Sequence, residues 1–308
     1  MIQKLSDRGV VMARLESPKS PTVRRIGLIN DPHLTRNATS EWKLLGESVE
    51  SFRTAIADVN EVGVDFLVLG GDLTHGGRSE EQSLLEETLE MVEPAFFAVP
   101  GNHDVHGDGW NESEAFAERY ADGSYPCIQS VGAIDVIGLN SASMPDGSLA
   151  STWAGEVSAG QLEWLRERLP ATDQPIVVVH HNLHAQPEHV DRPPWSLFRI
   201  RNAGELRALL ARHDVPLVLS AHHHLPAVRR SSVTEVMGPA TCSFPQGYLL
   251  FEVGPTGTAI YFVPLVGREG MRRAWRHAYT GGAQGYGVAE MAWARLDHFP
   301  LCDDRSDR

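Results

Sequence analysis

Short apolar runs recur along the chain with helical patterns between them. RRIGLIN (24–30), VDFLVLG (64–70), AFFAVP (95–100), AIDVIGLN (133–140), PIVVVH (175–180) and VPLVLSA (215–221) are nearly continuous in apolar residues. That is the pattern of strands covered on both faces. Over 42–60, Leu44, Leu45, Val49, Phe52 and Ile56 fall on one face at helical spacing, and 80–92, 158–169 and 203–213 also read as helices. Ser158 stands where an N-cap belongs. From Pro226 to Pro264 the pattern changes to short alternating strands broken by Gly and Pro. Strand and helix alternate over the first two-thirds of the chain, which predicts a layered α/β fold. SPKSP (17–21) reads as a linker, giving a leader at 1–21, a main domain at 22–267 and a C-terminal extension at 268–308 whose role the pattern leaves open.

The composition is that of a globular protein, with 42% hydrophobic and 22% charged residues among 308 and no run long enough to span a membrane. A net charge of −13 argues against a partner such as a nucleic-acid polymer. Lysine is rare (Lys4, Lys19 and Lys43), and the remaining basic residues are arginine, which reads as genome composition. Three widely spaced cysteines (Cys127, Cys242, Cys302) and an N-terminus without a signal-peptide core suggest the cytoplasm, without a membrane partner; a homo-oligomer is compatible with all of this.

Chemistry gathers where the strands stop. The first run ends in Asp31-Pro-His33, the second in Gly70-Gly71-Asp72 and the third in Gly101-Asn102-His103-Asp104. The run at 175–180 ends in His180-His181, and the next in His222-His223-His224. Any one of these suits a turn or a satisfied surface histidine. All five in order point to one site beyond the carboxyl ends of a sheet. In extended chain, Asp31 and His33 would leave on the same side, as would His222 and His224.

Nitrogen and oxygen ligands without thiolate suit two metal ions from among Mn, Fe, Zn and Co. One ion would take Asp31, His33, Asp72 and His224; the other Asp72, Asn102, His222 and one of His180 or His181. A hydroxide between such ions would attack phosphorus. His103 would then act as general acid, with Asp104 orienting its ring.

These blocks resemble the five-block signature of the calcineurin-like metallophosphoesterases, over roughly residues 24–265. Within them the chain is most similar to the class III cyclic nucleotide phosphodiesterases and related glycerophosphodiesterases, through GQLEWLRERL and RIRNAGELRALLARH. The resemblance implies a four-layer αββα sandwich, a dinuclear centre, and His180 rather than His181 as ligand. Two positions depart from the family's pattern: Asn182-Leu183 where Pro-Pro is common, and Ala221 where the fifth block usually has Gly. The first departure falls where the substrate would lie.

His75, His181 and Asn140 are candidate substrate contacts, each weighed against a turn or packing role. His106, His184, His189 and His213 read as structural or exposed, Arg199 and Arg201 as surface pairs, and Trp153, Trp164 and Trp195 as packing residues. Two divalent ions, two carboxylates and a hydroxide leave a single net positive charge, which matches a singly charged phosphodiester. The expected reaction is therefore hydrolysis of a small phosphodiester, a cyclic nucleotide or a glycerophosphodiester. The alternatives are a phosphomonoesterase of the same fold and a non-catalytic relative.

Overall fold

Successive side chains of a strand point to opposite faces, and here both faces are covered. The structure, a computed structural model, describes residues 9–105, 113–150, 152–185 and 197–295. His106, His189, Trp195 and Cys302 lie outside the described residues. Strands β2 (Arg24–Ile29), β3 (Phe66–Leu69) and β4 (Phe96–Ala98) run parallel in one sheet, flanked by β1 (Val10–Leu15), β11 (Gly247–Gly254) and β12 (Gly257–Pro264) in the order β1-β12-β11-β2-β3-β4. A second sheet has the order β5-β6-β7-β8-β10-β9, from β5 (Cys127–Ser130), β6 (Asp135–Gly138), β7 (Ile176–Val178), β8 (Leu217–Ser220), β9 (Ala227–Arg229) and β10 (Thr234–Met237). In it β6, β7, β8 and β10 are parallel neighbours.

Ile26, Leu28, Phe66 and Val68 face the second sheet, meeting Ile176, Val178, Leu217 and Leu219 in a shared core. The alternate residues Ile29, Leu67 and Leu69 pack under α1 (Ser48–Val62) and α2 (Ser79–Leu89). On the second sheet, Val177, Val179 and Val218 pack under α4 (Ala159–Arg168) and α5 (Ala203–Arg212). Helix α3 (Ser113–Tyr120) leads into β5. The result is helices, sheet, sheet, helices: the four-layer sandwich. Ser158 does cap α4, accepting from the Gln161 amide.

Three elements differ from the sequence pattern. Residues 10–15, within the stretch read as a leader, form an edge strand antiparallel to β12. The last forty residues include α6 (Arg268–Thr280) and α7 (Gly282–Arg295), whose Met271, Ala274, Ala278 and Val288 join the inter-sheet core. The helix expected from residue 42 begins instead at Ser48, because the Leu44 amide bonds to the Cys242 carbonyl at 2.6 Å and Trp42 is buried against α6 and α7. Tertiary contacts outweigh local helical spacing there. No helix among the described residues is long and apolar enough to cross a membrane.

Candidate metal centre

Both sheets deliver their parallel strand ends to one place, and the backbone kinks sharply there. Asp31, His33, Asp72, His222 and His224 all have positive φ, at 48°, 47°, 51°, 66° and 57°. Such a conformation costs a non-glycine residue about 1–3 kcal/mol and tends to concentrate at functional sites. The kinks, and not the pleat of an extended strand, bring these side chains together. Gly71, at φ 94°, and Gly101 are needed for close approach: a Cβ on Gly101 would lie 2.1 Å from Asp72 Oδ1.

Two clusters result. In the first, His33 Nε2 lies 3.3 Å from His224 Nε2 and 3.5 Å from Asp72 Oδ2, and His224 Nε2 lies 3.5 Å from Asp31 Oδ1. In the second, His180 Nε2 lies 3.4 Å from Asp72 Oδ1 and 3.2 Å from His222 Nδ1. Asp72 thus turns one oxygen to each. Partners fix the rings from behind, as partners of metal-binding histidines do. His180 Nδ1 donates to the Gly70 carbonyl at 2.8 Å, His222 Nε2 to the Trp153 carbonyl at 3.1 Å, and His224 Nδ1 meets Ser243 Oγ at 2.7 Å.

Asp31 Oδ1 and Asn102 Oδ1 are buried without a hydrogen-bond donor, and both glycine and histidine beside Asn102 lie against Asp72. Buried acceptors left in this way are costly in a protein, and they fit cations. Cys242 is close by, but its thiol donates to the Asp31 carbonyl at 3.1 Å and burial pushes its pKa up to about 12. The donor set is nitrogen and oxygen, suited to first-row metal ions.

Burial holds His33, His181, His222 and His224 well below the usual histidine range, so they are neutral and ready to coordinate. Burial opposes charge on His180 as well, but Asp72 overrides it and raises His180 to about 9. Asp31, raised by burial and by the charge of Asp72, reaches about 8. In chelated protein, these two groups hold protons to higher pH folded than unfolded, so their stabilisation is lost as pH rises. Asp31 acts from 3.8 towards about 8, and His180 from 6.5 towards about 9. Near pH 6.5 the five depressed histidines, His103 among them, are still partly protonated in the unfolded chain and oppose this trend; only above about pH 7.5 are they neutral in both states and without slope. The melting temperature of chelated protein is therefore expected to fall between about pH 7.5 and 9, with the dependence removed by metal. A chelated protein whose melting temperature rises over that range would contradict this picture of the site.

Asp104 requires a correction. It accepts from the amides of Leu73 (3.2 Å), Thr74 (2.8 Å) and Gly101 (3.0 Å), and from Thr74 Oγ1 (2.9 Å). Those bonds fill a carboxylate's acceptor sites, so it staples the second block to the third and does not orient His103. That task falls to His75, whose carbonyl lies 2.5 Å from His103 Nδ1 while the two rings stack at 5.4 Å. Asn140 also departs from the expected substrate contact. Its Oδ1 accepts from Ala142 and Ser143, and its backbone pairs with the Gln161 side chain, which makes it a turn former. Asn182 is buried, bonded to Ser220 Oγ (2.8 Å) and the Ala221 carbonyl (3.2 Å). This departure from Pro-Pro clamps the fourth block to the fifth and does not face a substrate.

His181 converges with His180 and His222 in the second cluster, its Nδ1 2.8 Å from Ser141 Oγ and its ring 4.5 Å from that of His222. His184 belongs to an internal network with Glu235 and Ser231, and Arg201 lies near Glu156 at the surface. Trp153, read as packing, is 59% exposed at the rim, in edge contact with Phe198, itself against His222. The sequence reading missed Lys43: its Nζ lies 3.0 Å from His33 Nε2. A polar residue inside a run of helical spacing gave no signal, since a lysine there reads as the solvent face.

The paired His/Asp clusters at the strand ends of this two-sheet sandwich could hold metal ions. The family model for calcineurin-like phosphoesterases matches residues 24–226, and the chain belongs to that family of hydrolytic enzymes. Its curated relatives include a 3′,5′-cyclic-nucleotide phosphodiesterase of Nostoc sp., 29% identical over 70% of this chain and 78% of that one. The probable glycerophosphodiester phosphodiesterase GpdQ of Arcobacter nitrofigilis is 27% identical over 55% of this chain, a match spanning only 58% of the relative's length. In structure, a dimetal phosphatase from Danio rerio superposes with a TM-score of 0.64 over 79% of this chain and 96% of its own, at 15% identity.

Proposed function

We propose that the protein hydrolyses small phosphodiesters, a cyclic nucleotide or a glycerophosphodiester, at a centre of two metal ions. The observation that carries this is Asp72, with one oxygen in each of two histidine clusters. Asp31, His33 and His224 would hold one ion, and His180 and His222, with the buried Asn102 oxygen, the other. Bound there, the ions would polarise a phosphoryl oxygen and supply hydroxide at neutral pH. His103, its Nδ1 on the His75 carbonyl, would act as general acid through Nε2. Exposed Trp153 offers an aromatic face for the organic group. Buried, unpaired Cys127 and Cys242 agree with a cytoplasmic setting.

The names of the curated relatives support the choice of diester over monoester. Lys43 favours the second reading, a phosphomonoesterase, because it adds a positive charge absent from the balance drawn on the sequence and so suits a dianion. Hydrolysis of bis-nitrophenyl phosphate, nitrophenyl phosphate and 3′,5′-cyclic AMP by Mn-loaded protein, with a chelated control, separates the two. Chelator-sensitive turnover of diesters with little monoester activity is expected. A preference for the monoester would transfer the assignment to the second reading.

A further inference from the structure

Lys43 and the C-terminal helices are both outside the five blocks, and they meet. The lysine lies on the segment before α1, with Nζ 3.0 Å from His33 Nε2. Its neighbour Trp42 presses its ring against His224, centroids 5.0 Å apart. An ammonium has three donors and no acceptor, so it cannot ligate a cation. Once His33 Nε2 is committed to a cation, it no longer serves Lys43 as acceptor. The acceptors that arrive at such a centre are the oxygens of the anionic substrate, and lysine is an ordinary phosphate binder.

The segment is held from the C-terminal side. Arg273 of α6 makes a two-pronged pair with Glu47, its Nη2 2.8 Å from Oε2 and its Nη1 on Oε1. His277 Nε2 donates to the Lys43 carbonyl at 3.4 Å. At the junction of the two helices, contact with the segment is so close that only glycine fits. A Cβ on Gly281 would fall 2.4 Å from the Glu41 carbonyl oxygen, and one on Gly285 2.4 Å from Trp42 Cβ. The Trp42 side chain completes the contact, sharing a core with Met271, Ala274, Ala278 and Val288.

We propose that Lys43 binds a phosphoryl oxygen of the substrate, and that α6 and α7 are the positioning device that keeps it at the centre. The helix pair is thus part of the active site's construction. The proposal rests on the reading of the centre as a phosphoester site.

Its test is the binding of inorganic phosphate to Mn-loaded protein by calorimetry, alongside elemental analysis of metal content. Because binding is read without turnover, a failure to hydrolyse any ester would count against the proposed function and leave this result interpretable. Lys43→Met is expected to keep both ions, since removing a positive charge does not weaken a cation site, and to weaken phosphate binding about tenfold or more, the contribution of one charged hydrogen bond. Arg273→Ala, at an exposed position, is expected to weaken phosphate binding about threefold with metals unchanged. In the double variant, Arg273→Ala should add nothing to Lys43→Met, which a merely structural role for Arg273 would not produce. Phosphate affinity unchanged in Lys43→Met, or loss of an ion from it, would overturn the role of Lys43. Full additivity in the double variant would overturn the positioning role of the helices.

Discussion

Replacing Asp72 by asparagine is expected to empty both halves of the centre and reduce hydrolysis to the chelated background. The two carboxylate oxygens face different clusters, with Oδ2 3.5 Å from His33 Nε2 and Oδ1 3.4 Å from His180 Nε2. Burial opposes ionisation of Asp72, yet His180 and His103 outweigh it and hold the group well below the usual carboxylate range. Asparagine keeps the shape and the acceptor for the His103 amide, now 2.9 Å from Oδ1, so the fold should survive. What it loses is the charge and the second donor oxygen. Elemental analysis and turnover of bis-nitrophenyl phosphate should fall together. A variant that retained both ions, or retained activity without them, would contradict the bridging role.

His103→Ala should have the second-largest effect, and a different one. The ring stands 4.6 Å from that of His33, perpendicular to it, with Nδ1 on the His75 carbonyl. Burial lowers its pKa to about 3, with Asp72 pulling the other way, so the resting ring is neutral. A proton for the leaving oxygen is therefore available from Nε2 only when the substrate's negative charge is present to restore it. General acids of this kind contribute about 10²–10⁴-fold where the leaving group is poor. Turnover of cyclic AMP should fall by that order in the variant, while an activated nitrophenyl diester loses much less and the metal content stays the same. Equal losses on both substrates would remove His103 from the acid role.

The strand-end blocks were legible because strands covered on both faces are apolar throughout, so the first ligand-type residue after each run stands out. Asp31, Asp72, His180 and His224 are legible for that reason. The route by which they converge was not, since positive φ at five non-glycine positions leaves no trace in composition. Asp104 was misread because adjacency to His103 in sequence says nothing about which amides its carboxylate meets across the turn. Lys43 was invisible for a related reason. Its position is set by Trp42 packing on helices more than two hundred residues later, and periodicity reports only on near neighbours. The same distance hides the edge strand at Val10–Leu15, whose partner β12 lies near the other end of the chain.

That two ions share Asp72 is most directly tested by anomalous diffraction from crystals of the Mn-loaded protein. Two peaks are expected, about 3.5–4 Å apart. One would lie among Asp31, His33 and His224, the other among Asn102, His180 and His222, with an Asp72 oxygen on each. A single peak, or a pair that does not share Asp72, would contradict the dinuclear centre on which the proposed chemistry depends.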